Sequence, residues 1–322
     1  MDINNFIREL IKCFPFQNNN TLLSYSDFIE EKLHAYIELL EKVNDDGLIK
    51  IISSEFCKNP TKKRFINLEK CICNRCLDIL SLIIKGDLYN AITQLNKLLQ
   101  NNYSIQYKLN ERLINYVRIK ILKNPLYRIV EYSREENPQN CNHVPYEMRE
   151  KANMDRFNMN GYPCLYLSDS IDGCKKELSN SNNKEKYSSS FTPKMNPQIV
   201  FFDLILPKQD YLESITDFDK FRFILTYPLY IMCLSINNTK FKYEYLFPQL
   251  LFHLLFFSEK NNNTYNIRGI AYSSTKDPKH TNYIIPAMMK NKLLYNGHSE
   301  YISDLFTEKF NGKLNCNINN HN

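Results

Sequence analysis

The sequence predicts an α+β fold in which an all-helical N-terminal domain is followed by a domain that mixes strands and helices. From about Ser24 to Lys123, apolar residues recur at helical spacing with little sign of strands. After Asn124-Pro125, short apolar runs alternate with turn residues and shorter helical stretches. A chain of 322 residues is long enough for two hydrophobic cores. We therefore expect a helical domain over residues 1–123 and a mixed domain over residues 124–322.

In the helical domain, the first strong pattern begins at Ser26-Asp27, which resembles a helix cap in front of Phe28–Leu33. Tyr36, Leu39 and Val43 continue this pattern at helical spacing. The same spacing predicts further helices over Cys76–Ile84, Asp87–Leu99 and Leu109–Leu122.

The mixed domain contains apolar runs that are short enough for strands and are bounded by turn residues. These runs are Leu126–Val130, Cys164–Ser168, Ile199–Leu206, Phe221–Tyr227 and Gly269–Ser273. Helices are predicted over Ser170–Leu178 and Tyr243–Ser258. Residues 179–197 are rich in Asn, Ser and Lys and carry two prolines, so we expect them to form a surface insertion.

The composition excludes two common nucleotide-binding devices. The chain has only 7 glycines, and they are too scattered for a dinucleotide-binding fingerprint or a P-loop. If the protein handles a nucleotide, side chains must therefore hold the phosphates. The net charge of +6 is not concentrated in dense Lys/Arg blocks, so we do not expect nucleic acid as a partner.

We expect a cytoplasmic protein that makes no membrane contact. The N-terminus lacks a basic segment followed by an apolar stretch. The most apolar windows, Phe221–Ile236 and Tyr245–Phe257, are too short to span a bilayer and contain proline or polar residues. The 10 cysteines are then most simply reduced thiols.

Four cysteines in the helical domain are candidate ligands for a structural zinc ion: Cys57, Cys71, Cys73 and Cys76. Cys73 and Cys76 have the spacing of a zinc knuckle. The Cys71-x-Cys73 spacing is awkward for chelation, however, and the second half of a zinc ribbon is missing. The pattern favours reduced cysteines near the start of a helix, with structural zinc as the alternative.

The mixed domain carries a series of polar residues in a distinctive order. Arg128 lies within the first apolar run, and Arg156-Phe157-Asn158 leads through Gly161-Tyr162-Pro163 to the strand that contains Tyr166. Glu177 lies on the next predicted helix. Gly269-Ile270-Ala271-Tyr272-Ser273-Ser274 forms a later strand, and Asn282 follows it.

This series resembles the RES domain family, which is named for a characteristic Arg, Glu and Ser. Each element of the family pattern occurs here in order, over roughly residues 125–290. The serine assignment is ambiguous by one position. We favour Ser274, because Ser273 occupies a variable position of the family pattern.

The resemblance implies an ADP-ribosyltransferase-like fold and an enzyme that consumes NAD. Characterised RES proteins are toxins that cleave the nicotinamide–ribose bond, with water or phosphate as acceptor, and some transfer ADP-ribose to a protein. The expected activity is that of an NAD glycohydrolase or phosphorylase acting as a toxin or a phage-defence effector. The alternatives are an ADP-ribosyltransferase with a protein target and an inactive NAD-binding scaffold.

The same resemblance implies that NAD is the substrate and that no cofactor is required. A helix-turn-helix antitoxin is the partner expected from toxin–antitoxin pairs. For the helical domain, we expect that it senses a trigger or restrains the toxin, and self-association is a further alternative.

The candidate residues suit the chemistry of such a site. Glu177 is expected to stabilise the oxocarbenium-like state that forms when the ribose bond breaks. The resemblance assigns Arg128 and Arg156 to the pyrophosphate, and a planar guanidinium suits that role. Tyr166 is expected to stack on nicotinamide, while Ser274 and Asn282 bind its carboxamide or the ribose. Arg156, Tyr166 and Ser274 thereby join Glu177 as candidate catalytic residues.

Two of these residues have a simpler interpretation. Without the family pattern, Glu177 is a solvated helix residue beside Lys175 and Lys176, and Arg156 is a surface residue that pairs with Asp155 or Glu150.

Overall fold

The computed structural model describes residues 1–19, 24–52, 61–100, 112–132, 138–178, 184–195, 198–237, 241–257, 266–288 and 297–314. The chain divides into two compact units. The helical unit comprises residues 1–118, 155–157 and 206–263, and the sheet unit comprises residues 119–154, 158–205 and 264–322.

The α+β fold class and the helical character of the N-terminal region are confirmed. The predicted boundary before residue 124 lies close to the passage of the chain from one unit to the other at residues 118–119. The units are discontinuous in sequence, however, because residues 206–263 also belong to the helical unit. That residues 1–123 form a separate domain stays a prediction.

Helices make up most of the helical unit, and two short helices, α7 and α10, belong to the sheet unit. In chain order the helices are α1 (Ile3–Lys12), α2 (Tyr25–Glu41), α3 (Asp45–Ile51), α4 (Lys62–Ile84), α5 (Leu88–Gln100), α6 (Leu113–Tyr116), α7 (Ile171–Glu177), α8 (Asp217–Leu234), α9 (Leu246–Phe257) and α10 (Glu300–Leu305). None of the helices in the described residues is both long and apolar enough to cross a bilayer.

Helix α2 shows how the sequence pattern produces these elements. The Ser24 hydroxyl accepts a hydrogen bond from the Asp27 amide and caps the helix. Phe28, Leu33 and Tyr36 then recur on one face and are buried in the helical unit. The predicted helix therefore begins within two residues of its predicted cap.

The predicted strand over Phe221–Tyr227 is wrong, because these residues lie within the long helix α8. Almost every side chain of α8 is buried, so the helix has no polar face to reveal its period. Thr216 caps its start by accepting a hydrogen bond from the Asp219 amide.

The strands of the sheet unit form one large mixed sheet in the order β10-β5-β3-β4-β9-β8-β6-β2. In chain order the strands are β1 (Gln17–Asn18), β2 (Ile119–Ile121), β3 (Leu126–Tyr132), β4 (Cys164–Ser168), β5 (Glu185–Pro193), β6 (Val200–Leu204), β7 (Ile236–Asn237), β8 (Ile267–Ser273), β9 (Thr281–Pro286) and β10 (Phe306–Lys313). Strands β6 and β8 are parallel, whereas the other neighbours in this sheet are antiparallel. Strands β1 and β7 form a separate pair in the helical unit.

Two sequence predictions fail at this sheet. Residues 179–197 are not a surface insertion throughout, because Glu185–Pro193 form β5 between β3 and β10. Strand β5 was not recognised in the sequence because two of its buried residues, Ser188 and Ser189, are polar. Within the predicted helix Leu109–Leu122, residues 109–111 lie outside the described residues. Residues 119–121 form β2, an edge strand paired with β6.

Close packing at the centre of the sheet depends on Gly269. A Cβ atom at this position would lie 2.2 Å from the carbonyl oxygen of Ile284 and 2.8 Å from the ring of Phe201. Since the first of these atoms belongs to the backbone, no side-chain rotation can relieve the clash. Glycine at residue 269 thus allows β8 and β9 to approach closely.

The helical unit buries a carboxyl group without a partner. Glu69 on α4 is 0% exposed, and neither of its carboxyl oxygens has a hydrogen-bond partner in the described part of the chain. The neighbouring Tyr36 hydroxyl gives its proton to the carbonyl of Ile224 at 2.9 Å. Burial raises the pKa of Glu69 well above its ordinary value.

We predict that Glu69→Met stabilises the protein at neutral pH. Because the folded-state pKa of Glu69 is raised, the wild type loses stability as pH rises above about 4.5, by about 1.4 kcal/mol per pH unit until the folded-state pKa is reached. The substitution removes this loss. Urea unfolding at pH 5, 6 and 7 measures it, with the exposed Glu38→Met as control. Parallel pH profiles for wild type and Glu69→Met would contradict the prediction.

A buried histidine in the sheet unit should give folding stability the opposite dependence on pH. His143 is 1% exposed, its Nε2 accepts from the Ser299 amide at 2.7 Å, and its Nδ1 lies 2.6 Å from the Val144 carbonyl oxygen. Burial is the main cause that lowers the pKa of His143 to about 4.

We predict that stability falls as pH decreases from 6.5 to about 4, because the unfolded chain takes up a proton that folded His143 resists. The loss reaches about 3 kcal/mol at 1.4 kcal/mol for each pKa unit. His143→Gln keeps an acceptor for Ser299 but cannot titrate. The free energy of unfolding of His143→Gln should therefore fall less than that of the wild type over this range. Equal losses would refute the assignment.

Candidate active site

The candidate site lies on one face of the sheet, around β4, β9 and β8. Asn282 is paired with Ser168 on one side and with Tyr272 on the other. Tyr166 is two residues from Ser168 along β4, so strand alternation places it on the same face as Asn282. Two of the predicted site residues therefore share one surface.

Helix α7 brings Glu177 to this face. The helix follows β4 directly, and the Ser170 hydroxyl caps it by accepting from the Gly173 amide at 3.0 Å. Glu177 is its last residue. The predicted helix Ser170–Leu178 is confirmed, with its cap at the predicted start.

Glu177, Ser274 and Asn282 form a hydrogen-bonded cluster. Ser274 Oγ and Asn282 Nδ2 both donate to Glu177 Oε1, each at 2.6 Å. The amides of Lys276 and Asp277 donate to Ser274 Oγ at 3.2 and 3.1 Å, which leaves its one proton for Glu177. Of the two candidate serines, Ser274 donates its hydroxyl proton to Glu177.

The second carboxylate oxygen of Glu177, Oε2, has a different environment. Among the described residues, Glu177 Oε2 has no hydrogen-bond donor, and the Lys276 ammonium is 3.8 Å away. Lys276 donates instead to the Glu177 carbonyl oxygen at 2.5 Å. The Glu177 side chain is 34% exposed, so Oε2 is available to a ligand. The Oδ1 atom of Asn282 is buried and has no partner within the described part of the chain.

Tyr166 is held by Asn158. Its hydroxyl donates to Asn158 Oδ1 at 2.6 Å, and Asn158 Nδ2 donates to the carbonyl oxygens of Asn153, Met159 and Tyr162 at 2.9 to 3.3 Å. The Arg-aromatic-Asn motif therefore contributes a support for Tyr166. Sequence reasoning did not assign a role to Asn158.

Arg128 contacts the same strand through the backbone. Its Nη1 donates to the Tyr166 carbonyl oxygen at 3.4 Å. Strand alternation puts Arg128 on the opposite face of β3 from Tyr127, the residue paired with Ser168. Burial lowers the pKa of Arg128, and nearby Cys141 and Tyr132 oppose this shift. The structure gives no contact between its guanidinium and Glu177 within the described residues.

Arg156 lies in the helical unit and is 8% exposed. Its Nη1 donates to the carbonyl oxygens of Cys233 and Ser235 at 3.0 and 2.8 Å, and its guanidinium lies 5.3 Å from the ring centre of Tyr245. A cation at the C-terminal end of α8 interacts favourably with the helix dipole. Because it is buried, Arg156 is not the surface residue of the simpler interpretation.

The cysteines do not form a metal centre in the part of the chain that the structure describes. Cys71, Cys73 and Cys76 all lie on α4, and Cys57 lies outside the described residues. Burial raises the pKa of the Cys73 and Cys76 thiols and so opposes the thiolate form that binds zinc.

Sequence reasoning missed the loop between β8 and β9. Lys276 contacts Glu177, and His280 approaches Asp169 and Ser170 at the start of α7. The sequence gives no role for His280, because the histidines of the mixed domain do not form a nucleophilic or metal-binding set. The contact with Ser170 joins residues 110 positions apart, and no local spacing reports such a contact.

Among curated proteins, the chain matches one distant relative. The chain is 23% identical over 309 residues to a protein of Bacillus subtilis (strain 168) named "Putative toxin YopC". The match covers 87% of this chain and 68% of the relative. No protein-family model matches the chain, and no solved structure matches it.

We predict that Ser274→Ala lowers the free energy of unfolding by about 1–2 kcal/mol, because Glu177 loses a donor and two loop amides lose their acceptor. Urea unfolding measures the loss. Thr275→Ala, in the same loop, is the control and should change stability by less than about 0.5 kcal/mol. Equal losses for the two variants would show that the cluster contributes no stability.

Proposed function

We propose that this protein is a toxin that consumes NAD by breaking its nicotinamide–ribose bond. The observation that carries the proposal is the asymmetric environment of Glu177. Two donors fix Oε1 in place, while Oε2 remains open to a ligand beside Lys276. The resemblance to the RES domain family and the distant relative named as a toxin support the same conclusion.

The chemistry requires only one well-placed carboxylate. When the C1′–N bond breaks, the electron pair stays on the pyridine nitrogen, and neutral nicotinamide leaves. Positive charge develops on the ribose, and Glu177 Oε2 stabilises it electrostatically. An acceptor oxygen then bonds to C1′, and with water the released proton passes to solvent, so that the products are nicotinamide and ADP-ribose.

The remaining site residues bind and orient the substrate in this proposal. Tyr166 stacks on nicotinamide, and Asn158 fixes the tyrosine ring through its hydroxyl. The unpartnered Oδ1 of Asn282 is an acceptor for an amide or hydroxyl of the substrate. The pyrophosphate assignment of Arg128 and Arg156 rests on the resemblance alone, because strand alternation puts Arg128 on the opposite face of the sheet from Glu177. Arg156 belongs to the other unit and donates to backbone carbonyl oxygens there.

The test is nicotinamide release from NAD by the purified full-length chain. We expect Glu177→Gln to lower kcat between about 100- and 10,000-fold while the protein stays folded, because the amide cannot supply the negative charge. Glu300→Gln, an exposed glutamate at the start of α10, is the matched control and should retain wild-type activity.

Assays with and without inorganic phosphate identify the acceptor. ADP-ribose formation without phosphate indicates hydrolysis, whereas dependence on phosphate indicates phosphorolysis. Labelled NAD that marks a protein and yields little free ADP-ribose would favour the transferase alternative. If micromolar wild-type protein releases no nicotinamide under any of these conditions, the proposed function is wrong.

A further inference from the structure

We propose that His280 is a positioning residue that fixes Glu177 by holding the start of helix α7 against the loop between β8 and β9. This inference rests on the proposed function, because it concerns the placement of the proposed catalytic carboxylate. Within the described residues, His280 is linked to Glu177 through α7 and this loop.

Both ends of α7 meet the same loop. At the C-terminal end, Ser274 and Lys276 bind Glu177. At the N-terminal end, Ser170 Oγ and His280 Nδ1 form a hydrogen bond of 3.0 Å. A helix of seven residues is too short to be stable alone, so its contacts at both ends decide its orientation.

The imidazole of His280 lies between polar groups on both sides. Asp169 Oδ1, just before the helix cap, is 3.4 Å from Nδ1, and Asp277 Oδ2, within the loop, is 3.8 Å from Nε2. Asp169 is itself fixed, because its Oδ2 accepts from the Thr281 amide and its own amide donates to the Thr281 carbonyl, each at 3.0 Å. The imidazole thus joins the helix start to the loop.

Packing at the helix start leaves little space for movement. A Cβ atom on Gly173 would lie 2.2 Å from Ser168 Oγ and 3.1 Å from His280 Cγ. Helix α7 therefore packs directly against the imidazole, and a side chain at residue 173 would have to displace Ser168 Oγ. A change in the His280 side chain is transmitted to the backbone of α7.

The loop backbone does not depend on the imidazole. The Ser274 amide donates to the His280 carbonyl, and the His280 amide donates to the Asp277 carbonyl, both at 3.0 Å. These bonds survive a substitution at residue 280. Loss of the side chain should therefore leave the loop closed and release the start of α7, which shifts Glu177 relative to bound substrate.

The test compares His280→Phe, which fills the space without a polar atom, with His280→Asn, whose Nδ2 takes the place of Nδ1. We expect His280→Phe to lower kcat for nicotinamide release about 10- to 100-fold, because a small misplacement of a catalytic group has effects of this size. The KM for NAD should stay within about twofold, because the imidazole does not bind NAD. His280→Asn should recover most of kcat, and the exposed Lys279→Ala should match the wild type.

A second measurement does not depend on activity. If the Ser170–His280 bond holds α7, the Tm of the Ser170→Ala, His280→Phe double variant should be no lower than that of the less stable single variant. Additive losses in Tm would overturn the proposal. So would an active wild type in which His280→Phe keeps its kcat, or in which His280→Asn is as slow as His280→Phe. An inactive wild type with coupled Tm losses would instead refute the proposed function and leave the link between His280 and α7 intact.

Discussion

The candidate site depends on the two hydrogen bonds that Ser274 and Asn282 give to one oxygen of Glu177. Ser274 follows the end of β8, and Asn282 is the second residue of β9, so both donors belong to one antiparallel pair of strands. The register of that pair fixes their separation. Glu177 ends helix α7, which meets the loop of this hairpin at Ser274 and Lys276, so the hairpin helps to set the position of the carboxylate.

The two strands of this hairpin pack closely at Gly269. Any side chain there would collide with the backbone oxygen of Ile284, and the strands would have to separate. Two of the few glycines in the chain therefore lie where close packing excludes a side chain. A chain with only 7 glycines places one where β8 and β9 approach and another, Gly173, where α7 meets Ser168 and His280. The glycines near the site allow close packing and do not form a phosphate-binding loop. In the proposed function, side chains therefore bind the substrate.

The sequence was informative where structure follows from local pattern. Strands β3, β4 and β8 and helix α7 were predicted because short apolar runs and a cap residue mark them. Helix α8 was not recognised, since a helix buried on all sides loses its period, and β5 was hidden by buried serines. At the site, the family resemblance named Glu177, Ser274 and Asn282, which the structure brings together. Asn158, Lys276 and His280 required the fold, because their contacts are with residues far away in the sequence or on other elements.

The surroundings of Glu177 distinguish it from an ordinary charged residue on a helix. Lys175, which the simpler interpretation placed beside it, pairs with Asp172 at 3.3 Å. One oxygen of Glu177 accepts two short hydrogen bonds, whereas the other lies 3.8 Å from the Lys276 ammonium. Fixing one oxygen removes the rotational freedom of the group before a ligand arrives, so no reorganisation is needed when positive charge develops nearby. Under the proposed function this pre-organisation would aid catalysis, because a solvated carboxylate would have to be ordered in each catalytic cycle.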